Sequence, residues 1–499
     1  MNGMVILDAP LTWAEVAAIA LGAALEISDA AQARLANANL IVRALIEREI
    51  RVYGVTTGVG ALADVMIPLS GQAELSRNIL MSHAAGVGAP LPAEDVRAMM
   101  AASINNLALG YSGVRPAVVD QMVALLNAGC TPEIPSQGSV GYISHRAHLG
   151  LVLIGHGHAL LNGERLTGGA ALARLGLAPL VLEAKEGLSL VNGSPCATGL
   201  ACLAVARAKE LLDWADVIAA MSFETQRCQI SAIDPKAMAL RGSPGVMEVT
   251  ATLNRLLEGS GILAAAAGRK TQDALSLRGI PQVHGAIRDA WADAAAVVAR
   301  ELCSVTDNPI VAGTPEAPEV HSQAHAIGAA LGLAMDHLGV AMAQLGMIAE
   351  RRVDRMVNAL VSGLPAFLAA DSGVSSGFMI AQYTAASLVG ENRRLAAPAS
   401  LDGGVTSGLQ EDILCHATPA ALKALAIVEN VKTISAIEYL AACQSYDLLG
   451  AAPADGLRGA YETLRAVVPV YADDRAMGDD IAKAAEVIGR DLAGVLPRA

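Results

Sequence analysis

The chain has 499 residues and a formal net charge of -13, with 53% hydrophobic residues but only 3% aromatics, so its core is built from Ala, Leu, Val, Ile and Met. Lys and Arg form no run, which excludes nucleic acid as a partner, and no apolar stretch of about 18 residues is free of charge, Gly or Pro, so no membrane span is expected. Seven cysteines without a CxxC pair and a start, MNGMVILDAP, without a basic region point to a reduced cytoplasmic chain lacking a signal peptide.

In chain order, Thr12 and Glu15 have the spacing of a capping box, which predicts a helix running to Leu25. Asp29 and Gln32 repeat the device before a helix whose Leu35, Ile41, Leu45 and Ile46 share a stripe. VYGVTTGVG (52–60) breaks the pattern and reads as a loop. Helical patterns resume to Leu126, with interruptions near Gly110 and Gly113. The stretch 130–195, rich in Pro and Gly and carrying β-capable runs such as LVLIG, reads as a compact irregular region. From Cys196 the spacing predicts long helices over 196–222, 281–302, 323–358 and 419–448. The expected fold is mainly α in two domains: a mixed α+β N-terminal head over 1–195 and a long-helix bundle over 196–499. Helices apolar on several faces imply neighbours on several faces, hence a large bundle and an oligomer.

Four loop-like segments combine glycine with reactive side chains: YGVTTGVG, GSVGYISHRAHLGLVLIGHG (138–157), SLVNGSP (189–195) and SGLQEDILCH (407–416). Tyr53 beside Gly54 is a candidate base, although a tyrosine in such a place is more often simply packed. Arg278, flanked by apolar residues in SLRGIPQ, suits two-pronged binding of a carboxylate. Glu411 and Asp412 are adjacent acids near an expected helix start, where helix-terminus electrostatics is the plainer reading.

Taken together, VYGVTTGVGALAD, LMSHAAGVGAPL, IPSQGSVG, AKEGLSLVNG, QDALSLRGIPQ, SVTDNP, GVSSGFMIAQYTAASLVGEN and TSGLQEDI resemble the histidine and aromatic amino-acid ammonia-lyase family, in order from about residue 10 to past 450. The resemblance implies an elongated helical bundle assembled as a homotetramer, with sites built from loops of three subunits. It implies Tyr53 and Glu411 as catalytic residues. It further implies His83, Asn192, Gln272 and Arg278 as substrate-binding residues, Arg278 on a carboxylate and His83 in the side-chain pocket of the histidine enzymes.

The family makes its electrophile, a methylidene-imidazolone, from an Ala-Ser-Gly that follows Gly-Ser-Val-Gly. Here Gly141 is followed by Tyr142, Ile143, Ser144 and His145, and Ile143 has no hydroxyl to eliminate. The group is therefore expected to be absent, with no other cofactor in its place. Leu275, Cys303, Leu409 and Val59 also depart from the pattern, and Gln323 to Ile327 replace a Gly-Gly-Asn-Phe-His segment. His145 and His148 share a helix face, and with His325, Cys303 and Glu411 would suit a first-row divalent ion; no metal site is assigned.

Three functions stay open. One is a lyase eliminating from, or adding to, a small carboxylate or amino-acid-like substrate without the prosthetic group, with Tyr53 as base and Arg278 on the carboxylate. Another is ordinary histidine or aromatic amino-acid ammonia-lyase activity. The last is an inactive binding or structural homologue.

Overall fold

The computed structural model describes residues 3–401 and 403–496. It is mainly helical, with small two- and three-stranded sheets, as the composition led one to expect. Thr12 forms its capping box, accepting from the Glu15 N–H while the Glu15 carboxylate accepts from the Thr12 N–H at 2.8 Å. The helix Trp13–Ala20 nevertheless stops short of Leu25. Gly22 takes φ +110°, and Ala24–Ile27 pairs as a parallel strand with Met4–Leu7. The helix Asp29–Glu47 is capped by Ser28, one residue earlier than the sequence suggested.

The LVLI of 151–154 is no strand. Leu151 to Leu153 close the helix Ser144–Leu153. So short an apolar run carries no period by which helix and strand can be told apart. The local three-stranded sheet is instead made by Thr131–Pro132, His158–Leu161 and Glu164–Thr167. The four long helices are Pro195–Thr225, Ile280–Leu302, Ala329–Val357 and Ala417–Leu449. Residues 323–328 are not helical: the Gln323 N–H donates to Asn308 Oδ1 (2.8 Å) and its amide to the Asp307 carbonyl (3.0 Å), which holds the segment as a loop.

Two stretches, Glu186–Thr225 and Ala329–Val357, are long and apolar enough to cross a membrane, against the expectation of none. Their most apolar windows are 94% and 67% buried within the protein, as core helices are.

The chain divides into two compact units. One runs to Ala206 and takes in Ala294–Asp336 and Pro398–Leu422; the other comprises Arg207–Asp293, His337–Ala397 and the chain from Lys423. This differs from the linear split at 195. Four of the boundaries fall inside the four long helices, so a cut at one loop cannot reproduce them.

In the first unit, Ala38, Ile41, Val42 and Leu45 of the helix Asp29–Glu47 pack with Val52, Val55 and Val311, which anchors the loop carrying Tyr53. The helix Gln72–His83 lies against Glu186–Val191, where Gly187 permits the contact: a Cβ there would run into the Ser76 backbone. The second unit buries an ionic core. Arg352 makes a two-pronged pair with Glu438 (2.6 and 2.9 Å), and Asp216 takes both Arg288 (2.6 Å) and the His284 ring (2.7 Å).

Candidate active site

Tyr53 sits on a tight loop closed by its own threonines. The Val52 N–H donates to Thr56 Oγ1 (2.8 Å) and the Gly54 N–H to Thr57 Oγ1 (3.2 Å). Gly54, at φ +63°, needs the conformational freedom of glycine. The Gly60 N–H donates to the Tyr53 hydroxyl oxygen at 2.8 Å. Burial raises the Tyr53 phenol above its ordinary value; the Gly60 N–H works against this, and the charge of Glu411 adds to it. The half-buried phenol thus keeps its proton in the resting site.

Residues 60–62 pack against 407–409, which brings the Glu411 loop to the tyrosine. Glu411 is not at a helix start; the next helix along the chain begins at Ala417. It is held by Thr406, whose N–H donates to its carbonyl (2.8 Å) and whose hydroxyl donates to its Oε2 (3.0 Å). The hydroxyl of buried Tyr142 donates to the same Oε2 at 3.5 Å. His83, at the end of its helix, is kept neutral at pH 7 because burial lowers its pKa, although Glu411 pulls the other way. The carboxylate of Glu411 therefore acts on Tyr53, His83 and Tyr142 alike. These four residues form one polar neighbourhood within the first unit.

Tyr142, Ile143 and Ser144 form a three-residue turn. Ile143 has φ +73° and ψ -79°, and the Ser144 N–H donates to the Tyr142 carbonyl at 3.1 Å. A β-branched residue is strained there. The turn sets the backbone nitrogen of 144 against the carbonyl of 142, but its middle side chain is a hydrocarbon. Ser139 steadies it, donating to the Tyr142 carbonyl (3.1 Å) and accepting from the Gly141 N–H (3.2 Å). His145, behind the turn, is buried and brought down to about 4 by burial and by neighbouring His148. His148 accepts from the Gly86 N–H at 3.0 Å and so is a neutral ring.

Asn192 faces a buried ionic cluster. Its amide donates to Asp307 Oδ1 (3.3 Å) and to the Asn308 carbonyl (2.7 Å), while Lys185 Nζ lies 2.9 Å from Asp307 Oδ2. Burial alone would raise the Asp307 carboxyl, but Lys185 and Arg146 hold it below the usual range. Lys185, Asp307 and Arg146 were not singled out from the sequence. A lysine beside a glutamate in AKEGLSLVNG and an aspartate in SVTDNP were the available signal.

Gln272 and Arg278 belong to the second unit. Gln272 is exposed, and Arg278 ends the short helix Leu275–Arg278 with its Nε lacking an acceptor among the described residues. Cys303 and His325 are exposed, and no three His, Cys, Asp or Glu side chains converge among the described residues. The histidine–cysteine–glutamate grouping considered for a metal is not assembled within the chain.

The model of the aromatic amino acid lyase family matches residues 11–466. The chain is 45% identical to a histidine ammonia-lyase of Symbiobacterium thermophilum over 97% of its own length and 96% of that protein. Among solved structures it superposes on the histidine ammonia-lyase of Trypanosoma cruzi with a TM-score of 0.91 at 37% identity, covering 97% and 93% of the two chains. A tyrosine aminomutase from Streptomyces globisporus gives 0.94 at 34% identity, covering 99% of each.

These matches correct one expectation. The chain was read as having no cofactor and as lacking the methylidene-imidazolone. Relatives named histidine ammonia-lyase match nearly its whole length, and enzymes of that name normally carry the group, formed from the protein itself, which overturns the expectation. Ile143, in the middle of the turn, carries no hydroxyl. By the match to its model and by identity along almost its entire length, the chain belongs to the aromatic amino acid lyase family.

Proposed function

We propose that the chain is an amino-acid ammonia-lyase, with histidine the first substrate to test. The observation that carries this is the gathering of Tyr53, His83 and Tyr142 around Glu411, in a chain that matches histidine ammonia-lyases throughout. Elimination breaks a Cβ–H and the Cα–N bond: the Cβ proton goes to a base, the C–H electron pair forms the double bond, and the amine leaves. Tyr53 is the base, once its phenol has lost its proton. Glu411 meets the substrate ammonium with its carboxylate. His83, uncharged at neutral pH, is suited to accept from or donate to an imidazole ring. Arg278 binds the carboxylate, as the family resemblance implies.

A second reading is a homologue that binds an amino acid without turning it over. It is favoured by Tyr142-Ile143-Ser144, which puts a bulky phenol against Glu411. Incubating the purified protein with histidine, tyrosine and phenylalanine, and following the ultraviolet absorbance of the conjugated product, separates the two.

We also propose a homotetramer. Leu333, Val340 and Met347 recur every seven residues along Ala329–Val357 and are 58%, 44% and 46% exposed, a spacing suited to a partner helix. Light scattering on the eluting protein tests this: a single species at four times the chain mass is expected, and a monomer refutes it.

A further inference from the structure

Arg146, in the first turn of the helix Ser144–Leu153, is 2% exposed. Its Nη1 donates to the Asn192 carbonyl. Its Nε and Nη2 meet no acceptor among the described residues, and it is the one arginine there with both of these atoms buried and unpartnered. They form one edge of the guanidinium, with parallel N–H bonds matched to the two oxygens of a carboxylate.

The other buried arginines among the described residues use this edge on an anion. Arg352 sets Nε and Nη2 against the two oxygens of Glu438, and Arg288 sets them against Asp216 at 3.1 and 2.6 Å. Half-buried Arg115 does the same with Glu186, at 2.7 and 2.8 Å.

Among the described residues no such anion is supplied to Arg146. The carboxylate nearby, Asp307, is already taken: Oδ2 by Lys185 and Ser189 (2.9 and 3.0 Å), Oδ1 by Asn192 and the Asn308 N–H (3.3 and 2.7 Å). Two buried cations, Arg146 and Lys185, thus share one counter-charge. Cys196 cannot serve as another, because burial pushes its thiol up to about 12 and it stays protonated. A buried charge without a partner is costly enough that some group must answer it.

We propose that the Nε/Nη2 edge of Arg146 is a binding site for a small oxyanion of the carboxylate class. The anion is either a free ion or the carboxylate of an amino acid other than the one Arg278 holds. The site does not depend on the chain being an ammonia-lyase, and neither source requires turnover.

The test is thermal unfolding of the full chain during titration with sodium formate, chloride being adjusted to hold ionic strength constant. A ligand that binds only the folded state raises the midpoint, and the rise becomes logarithmic in ligand once its concentration exceeds the dissociation constant. The expected result is such a rise in the wild-type protein that is lost in R146M. In R146K, which keeps the charge but not the fork, the formate concentration at which the rise sets in is at least tenfold higher. Parallel titrations with histidine and histamine identify the source. An Arg146-dependent rise with histidine but not with histamine assigns the site to the amino-acid carboxylate; a rise with formate alone assigns it to a free ion. If neither formate nor histidine moves the wild-type midpoint, or if the variants respond as the wild type does, the proposal is overturned. Should R146M fail to fold, 13C-formate NMR on the wild-type protein and R146K decides: no saturable binding, or equal binding by both, overturns it.

Discussion

The Tyr142 hydroxyl lies 3.5 Å from Glu411 Oε2, joining two residues 269 positions apart in the chain. The same carboxylate oxygen accepts from Thr406 at 3.0 Å, so Glu411 is held from two sides. Tyr142 occupies the first position of the turn 142–144 and is a polar partner of the acid.

This predicts unequal effects of substitution. Glu411→Gln removes the charge that meets the ammonium and should lower kcat/KM by about 10²-fold or more. Tyr142→Phe removes only one long hydrogen bond and should cost less than about tenfold. Steady-state kinetics on both variants checks this; a larger loss for Y142F than for E411Q would mean Tyr142, not Glu411, is the principal group.

The pH dependence follows from Tyr53 and His83. Burial holds the Tyr53 proton above the ordinary tyrosine value, so kcat/KM should climb as pH rises into the alkaline range, and Tyr53→Phe should abolish that climb with a loss of about 10²–10⁴-fold. The His83 pKa is lowered, so the ring takes up a proton only below its ordinary value of 6.5. An acid-side loss of activity should fall under that pH and vanish in His83→Leu. A profile flat through the alkaline range would remove Tyr53 as the base.

The Lys185–Asp307 pair is fully buried, with both side chains 0% exposed. Lys185→Met leaves Asp307 without its closest cation and should cost about 3–5 kcal/mol of stability, read from urea unfolding. Because the folded Asp307 carboxyl is held below its unfolded value, its contribution is present above the ordinary carboxylate range. It is lost as pH falls through the lowered value. Wild-type stability should therefore drop on acidification more steeply than that of Asp307→Asn.

Gly187→Ala tests how the helix bearing His83 is placed. An added methyl would collide with the Ser76 backbone, which cannot rotate away. We expect about 1–3 kcal/mol of destabilisation, together with a raised KM as His83 moves. An unchanged melting midpoint would show that this helix contact yields without cost.

Much of the fold was legible because it is repetitive. The four long helices came within a few residues of their observed bounds, since dozens of positions report the same period. The segment 323–328 was misread as helix because its amide partners lie on Asn308 and Asp307, contacts that no local pattern announces. Gly22 ended a helix whose apolar stripe ran on through Leu25.

At the site, Tyr53 and Glu411 stood out beside glycine-marked loops, and the structure places them in one neighbourhood. The mutual relation of Tyr142 and Glu411, like that of Lys185 and Asp307, depends on long-range packing. Arg146 went unnoticed because a charge between Ser144 and Ala147 reads as a solvated helix face until its burial is known.

The most direct measurement is the assay of the purified wild-type chain with histidine, followed by ultraviolet absorbance and by release of ammonia. Stoichiometric appearance of a conjugated acid and ammonia, dependent on Tyr53 and Glu411, is expected. Protein that is folded and binds histidine but yields neither product would contradict it.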